Sequence, residues 1–341
     1  MSRQGRPDAA APPDSSSAAG SSRPDTSGRL LLVANAGGHL TQLFRLWPRL
    51  PDFGAAPVWV TNDTPQSRSL LDGQDVIWAP DVAPRDVTDM LRCIPRALSM
   101  FSGRPAMAVS TGSGVALGFL PALALGGVPC HYVESATRVE GPSLTGRLLR
   151  WSPRVRTYTQ HERWADRRWR FPGSVFEGFE STPSLTPPTE IRRAVVTVGT
   201  LEYPFDRMLR RVAELLPPDA EVLWQVGPAN VADLGIDARP SIPSREMAEA
   251  IAAADVVIAH AGTGSALAAF EAGRCPVLVP RELRHGEHVD DHQLQTASYL
   301  AGLDLAVVRP VDQLRSADLL EAAGRSISSA RSPRLLALDT I

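Results

Sequence analysis

Residues 255–265 read Asp-Val-Val-Ile-Ala-His-Ala-Gly-Thr-Gly-Ser, an apolar strand that runs into a loop of small residues and then into a helix opening near Ser265. The first N–H groups of such a helix have no intrahelical partner, so the junction suits an anion such as a diphosphate. Gly262 and Gly264 let a ligand approach the backbone closely. Further on, Glu287-His288-Val289-Asp290-Asp291-His292-Gln293 clusters the side-chain polarity that a hydroxyl-rich sugar requires. Strand, glycine loop and helix in this order form the unit of a parallel sheet that holds its ligand at the strand C-termini.

The same order occurs near the other end of the chain. Leu30 to Ala34 reads as a fully buried strand, Asn35-Ala36-Gly37-Gly38-His39 as a tight loop, and Leu40 to Leu50 as a helix. Val58 to Thr61, Asp75 to Ala79, Met107 to Ser110 and Cys130 to Val133 are further strand candidates, and Thr88 to Ser102 is helical. Thr182 to Thr189, with Pro183, Pro187 and Pro188, is the strongest linker signal. Beyond it the order starts again, with strands at Ala194 to Val198, Glu221 to Val226 and Asp255 to Ala259 and helices at Phe205 to Leu216 and Met247 to Ala254. The expected organisation is a tail over 1–27, a first domain over 28–181, a linker over 182–190, a second domain over 191–325 and a C-terminal tail over 326–341. Two facing Rossmann-like domains around a cleft make the α/β architecture called GT-B.

Composition narrows the function. At 341 residues with 43% hydrophobic content, two packed cores are affordable, and 35 basic against 37 acidic residues leave a net charge of −2. No basic stripe interleaved with aromatics is present, which argues against nucleic-acid binding. Every basic residue other than histidine is arginine, which reads as a GC-rich composition bias. Cys93, Cys130 and Cys275 are odd in number and lack CxxC spacing, so neither a disulfide framework nor a zinc knuckle is expected, and a reducing cytoplasm fits. Residues 1–27 have no apolar core of the signal-peptide kind and read as a disordered tail. The longest apolar run, Val115 to Cys130, is broken by Pro121, Gly126 and Gly127, which favours a buried helix and turn over a membrane span.

Several motifs carry a family resemblance. In the first half they are Gly37-Gly38-His39, Gly112-Ser113-Gly114, Glu134-Ser135-Ala136-Thr137-Arg138-Val139 and Ser143-Leu144-Thr145-Gly146-Arg147. In the second they are Val196-Thr197-Val198-Gly199-Thr200, Phe205-Asp206, Gln225-Val226-Gly227, His260 to Ser265 and Asp290 to Gln293. Residues 29–180 resemble the membrane-recruiting subunit of the asparagine-linked glycosylation N-acetylglucosaminyltransferase, and residues 192–310 resemble its catalytic partner, as though the two subunits of a bacterial exopolysaccharide pair were fused. The second half is also similar to the C-terminal domain of glycosyltransferase family 28. The resemblance implies an inverting transferase that takes a UDP-sugar as co-substrate, needs no metal or other cofactor, and acts on a polyprenyl-diphosphate-linked acceptor at the cytoplasmic membrane face as a peripheral protein.

Carried onto this chain, the resemblance makes His39 the base, against the plainer reading of a cap on the following helix. Glu134 either orients His39 or meets the acceptor, Arg138, Gly38 and Ser113 stand on the acceptor side, and the plain alternative pairs Glu134 with Arg138 at i,i+4. Gly199, Thr200, His260, Gly262, Thr263, Gly264 and Ser265 would surround the diphosphate. Asp291, His292 and Gln293 would face the sugar, and Ser244 the uracil. Many relatives place a ribose-binding glutamate four residues after the loop glycine; this chain has Ala268 there and Glu271 one turn later. Membrane contact would fall to an amphipathic surface such as Met90 to Arg96. His285, His288, Asp290, Asp291 and His292 invite a metal reading, but the helical HExxH spacing is missing. Two rival functions remain at this stage, a UDP-sugar 2-epimerase and a non-catalytic scaffold that binds a UDP-sugar or recruits a transferase.

Overall fold

The computed structural model describes residues 24–80, 87–100, 103–199, 202–288, 290–329 and 334–339. Its first half contains β1 (Leu30–Ala34), α1 (Gly38–Leu46), β2 (Val58–Asn62), α2 (Pro65–Leu70), β3 (Asp75–Ala79), α3 (Val87–Leu98), β4 (Met107–Gly112), α4 (Gly114–Leu125), β5 (Cys130–Val133), α5 (Leu144–Leu149), β6 (Val155–Tyr158) and β7 (Trp169–Arg170). After β8 (Phe179–Pro183) come β9 (Arg193–Thr197), α6 (Asp206–Leu215), β10 (Glu221–Gln225), β11 (Ala238–Arg239), α7 (Ser244–Ala253), β12 (Val256–His260), α8 (Thr263–Glu271), β13 (Val277–Val279), α9 (His292–Gly302), β14 (Val307–Val308), α10 (Ser316–Ala323) and β15 (Arg325–Ser329).

The first sheet has the order β3-β2-β1-β4-β5-β6-β7 and the second the order β11-β10-β9-β12-β13-β14, with all pairings parallel. Helices cover both faces, which explains why β1 and β12 are buried at every position and read as unbroken apolar runs. In each sheet the strand order reverses at one place, between β1 and β4 in the first and between β9 and β12 in the second. A crevice opens there outside the strand C-termini. The loops singled out in the sequence, 35–39 and 112–114 in one domain and 199 and 260–265 in the other, all follow these four strands. The architecture is GT-B, two Rossmann-like domains facing one another.

The domain junction differs from the expectation. Thr182 and Pro183, the start of the expected linker, belong to β8, which pairs antiparallel with β15 from within the expected C-terminal tail. Neither strand shows an apolar alternation; each forms because the other satisfies its backbone, with Ile327 buried beneath. Residues 334–339 return to the first domain. Leu336 donates its N–H to the Arg49 carbonyl, Arg49 donates to the Arg334 carbonyl, and Leu336 and Leu338 are buried.

Candidate active site

On the first-domain side, β1 ends in a turn whose Gly37 has φ 91°, a left-handed conformation open to glycine at little cost. This turn aims the start of α1 into the cleft, and no side chain caps that helix. His39 lies in its first turn. Its Nδ1 is 2.7 Å from the Thr111 carbonyl oxygen, and the Thr111 hydroxyl in return donates to the His39 carbonyl. A carbonyl can only accept, so Nδ1 carries the hydrogen and Nε2 keeps its lone pair. Burial pushes the imidazole down to about 4, with Arg138 and His292 adding to the effect against the Thr111 bond. The ring lies against Gly112, where a Cβ would come within 3.1 Å of it.

Glu134 does not orient His39, nor does it pair with Arg138. Its fully buried carboxylate accepts from the Tyr132 hydroxyl, the Ser135 N–H and both the N–H and hydroxyl of Ser143. Burial raises its pKa while these donors pull the other way. The residue ties the end of β5 to Ser143, the N-cap of α5. Ser113 leans on Asn35, whose side-chain oxygen also receives the Ser113 and Val115 N–H groups at the start of α4.

On the second-domain side, His260 ends β12 and its ring fills the space between two loops. A Cβ on Gly199 would lie 2.6 Å from the ring and one on Gly262 only 2.2 Å from Nε2. These glycines therefore make room for an imidazole, and His260 braces the loops. Burial pushes it down to about 3. Thr200 lies outside the described residues. Gly262 precedes α8 without a side-chain cap, Gly264 and Ser265 are partly exposed in its first turn, and the buried Thr263 hydroxyl has no partner among the described residues. A Cβ on Gly264 would be 3.9 Å from the Gly38 Cα and from the Thr41 hydroxyl. The uncapped starts of α1 and α8 thus meet across the cleft, each presenting the partial positive charge of a helix N-terminus. Ser244 begins α7 at the strand C-terminal side of the same sheet.

The seam between domains is polar. Arg138 reaches Asp290 at 2.9 Å, Gln295 donates to Glu140, and Thr296 to the Thr137 carbonyl. Asp290 accepts from His292 through Oδ1 and from Arg138 through Oδ2, with His288 Nδ1 at 3.6 Å. The imidazoles of His288 and His292, with Arg138, hold its carboxyl far below the usual range. Asp291 is exposed and braces the Leu283 N–H, and Gln293 accepts the Arg281 N–H, which fixes its amide and leaves two further donors on it. Asp290 and Arg281 were not assigned a donor role from sequence. Arg281 is fully buried, with its guanidinium on the Val198, Tyr203 and Glu287 carbonyls, which shapes the loop after β9; nothing in the local pattern marks it.

Of the histidine and acid cluster, His288, Asp290 and His292 each bring one ligand-capable atom within 4.8 Å of the others, whereas His285 is exposed on a separate turn. Both Asp290 oxygens are already engaged, Arg138 adds a positive charge, and the N-terminus of α9 adds another partial one. The donor set is better matched to a carboxylate bridge between domains than to a cation. Ala268 packs against a buried cluster that includes Ile251 of α7 and offers a ribose no polar group, and Glu271 pairs with Arg45 of α1.

Comparison with known proteins agrees with this architecture. Residues 193–320, from β9 into α10, match the glycosyltransferase family 28 C-terminal domain. A UDP-N-acetylglucosamine–N-acetylmuramyl-(pentapeptide) pyrophosphoryl-undecaprenol N-acetylglucosamine transferase of Xanthomonas oryzae pv. oryzae is 32% identical over 155 residues, which cover 43% of this chain and 33% of that protein. The same enzyme of Xanthomonas euvesicatoria pv. vesicatoria is 30% identical over an equal span. The chain thus matches about a third of the length of these relatives. Among solved structures, MurG of Acinetobacter baumannii superposes with a TM-score of 0.54 at 20% identity over 86% of this chain and 89% of that one. The glycosyltransferase SnogD from Streptomyces nogalater gives 0.57 at 19% identity over 87% and 92%.

Proposed function

We propose that the protein is an inverting glycosyltransferase that moves a sugar from a UDP-sugar to a polyprenyl-diphosphate-linked acceptor in exopolysaccharide or other cell-surface glycan synthesis. The observation that carries this reading is the meeting of the start of α1, which bears His39 with Nε2 kept as an acceptor, and the uncapped start of α8 across the cleft at both switch points. An acceptor hydroxyl attacks the anomeric carbon from the face opposite UDP, its proton passes to His39 Nε2, and the sugar–phosphate bond breaks with its electron pair going to the departing β-phosphate oxygen. The N–H groups opening α8 stabilise the charge that develops there, without a cation. The family 28 match of the second domain and the transferase relatives support the same donor class.

A 2-epimerase needs acid and base carboxylates free in the cleft. Glu134 is consumed by four donors, which disfavours that rival. The test is turnover of a polyprenyl-diphosphate-linked acceptor against a panel of UDP-sugars, with His39→Ala alongside. Release of UDP without a glycosylated lipid product, or no turnover with any donor, overturns the assignment.

The reading also places the protein at the inner membrane face as a peripheral partner of lipid. Among the described residues no helix is long and apolar enough to cross a membrane. The stretch Met90 to Arg96 is one candidate for contact: α3 buries Cys93 and Ala97 and leaves Leu91 51% and Leu98 45% exposed beside the exposed Arg92 and Arg96. A second face is α5 and the turn after it. Leu144, Leu148 and Trp151, spaced i, i+4, i+7, are 57%, 51% and 80% exposed, with Arg147, Arg150 and Arg154 exposed among them. Such a face suits the interface of an anionic bilayer.

A further inference from the structure

The loop between β13 and α9 begins a chain of three side chains that crosses from the second domain to the first. Asp290 Oδ1 accepts from His292 Nδ1 and lies 3.3 Å from the His292 backbone nitrogen, so it is tied twice to the first residue of α9. Its Oδ2 accepts from Arg138 of the first domain at 2.9 Å. Arg138 is placed from both sides, because Trp164 donates to its carbonyl and the Thr296 hydroxyl of α9 donates to the carbonyl of Thr137. A second imidazole competes for Oδ1. His288 Nδ1 stands 3.6 Å from that oxygen, just beyond hydrogen bonding, and is buried without a partner among the described residues. The two histidine rings meet edge to face, 4.5 Å between centroids.

An ionised carboxylate can only accept, so His292 Nδ1 carries the hydrogen and, in the neutral ring, Nε2 keeps its lone pair. Burial lowers the His292 pKa against the pull of Asp290, which favours that neutral ring. The side chain is 15% exposed, and Nε2 has no protein partner among the described residues. Arg138 and His292 both act on the charge of His39, so the chain ends beside the base. We infer that Asp290 is a positioning residue for sugar transfer, holding His292 as a hydrogen-bond acceptor for a hydroxyl of the donor sugar, and that Arg138 secures it only while the first domain is seated. With Oδ2 gripped by Arg138, the carboxylate presents Oδ1 to His292. Released, it is free to turn towards His288, and the His292 ring loses the bond that sets its tautomer and angle. Arg138 then serves the donor through Asp290, a role different from the acceptor contact that the resemblance implies. The sugar contact rests on the transferase reading above, whereas the tautomer is a property of the free chain.

The test has a spectroscopic and a kinetic arm. Long-range proton–nitrogen correlation spectra of the full chain with isotope-labelled histidine, in which His292→Gln identifies the His292 signals, should show the Nδ1–H tautomer near neutral pH. Arg138→Met and Asp290→Ala should each convert it to a mixture, and Arg138→Lys should restore it. Gln295→Ala, which removes a different contact of the seam, should leave it unchanged. In the kinetic arm, Arg138→Met and Asp290→Ala should raise KM for the UDP-sugar that wild type turns over fastest by about threefold to tenfold, the worth of one hydrogen bond. The change in kcat should stay below about twofold, as for a contact made equally in ground and transition states. Affinity for UDP alone, measured by calorimetry, should also stay within about twofold. A rise confined to the acceptor KM makes Arg138 an acceptor contact and overturns the inference. So does a His292 tautomer that ignores both substitutions, or an equal effect of Gln295→Ala. Circular dichroism identifies a variant lost to misfolding, and Arg138→Met, at a side chain 29% exposed, carries the test if Asp290→Ala does not fold. If the tautomer responds as expected but no UDP-sugar turns over, the transferase reading falls and the positioning of His292 stands.

Discussion

The state of His39 in the free protein sets a sharp expectation for the pH dependence of kcat/KM. The reaction needs Nε2 unprotonated, and burial has pushed the imidazole down to about 4. At pH 5.5 only about 3% of such a ring is protonated, whereas a histidine at its ordinary value near 6.5 would be about 90% protonated. Lowering the pH from 7.5 to 5.5 should therefore reduce kcat/KM by a few per cent, against about tenfold for an unperturbed base. His39→Ala should lower the plateau by about a hundredfold or more while UDP affinity, measured by calorimetry, stays within about twofold. The assay is the initial rate at subsaturating donor between pH 5 and 8.5, with folding followed by circular dichroism at each pH. An acidic limb centred between 6 and 7 that vanishes in His39→Ala would show that the ring is solvated, and that the Thr111 contact does not set its state. A limb unchanged by the substitution would remove His39 from the base role.

The remaining expectations concern the loops, the cation and acid stability. Gly262→Ala drives a Cβ to within 2.2 Å of the buried His260 and should lower stability by about 1–3 kcal/mol, whereas Gly264→Val meets nothing closer than 3.9 Å at its Cβ and should spare the melting temperature yet weaken UDP binding; equal effects of the two on melting would contradict the geometry. Activity should survive exhaustive chelation if, as proposed, helix N-termini do the work of a cation at the departing diphosphate, and complete loss with rescue by magnesium or manganese would instead make His288, Asp290 and His292 ligands. Burial holds His39 and His131 near 4 and His260 near 3 in the folded chain, below their unfolded values, so the unfolded state binds more protons and stability falls as pH drops from about 6.5 towards 4. The slope should reach about 4 kcal/mol per pH unit for the three together, and urea midpoints that do not change between pH 7 and 5 would refute it.

Much of this protein is local in its sequence. Apolar runs bounded by small-residue loops placed β1, β2, β4, β5, β9, β10 and β12 within a residue or two, because strands in the middle of a sheet covered on both faces are predominantly apolar. The loops of the cleft were legible for a similar reason, since a turn with positive φ at Gly37 or a close approach at Gly262 leaves room only for glycine. What the glycines accommodate was not legible. That the space beside Gly199 and Gly262 belongs to His260 depends on how three chain segments pack. The same holds for Glu134, whose partners include a serine nine residues on, and for the pairing of β8 with β15, which have no apolar pattern. Arg138 and Asp290 are 152 positions apart and meet only because two independently wound sheets face each other with their switch points aligned. Periodicity and turn chemistry act over a few residues, so they determined the two Rossmann-like folds and the loops at their strand C-termini. The contacts across the cleft arise from the relative placement of finished domains, which only the tertiary structure decided.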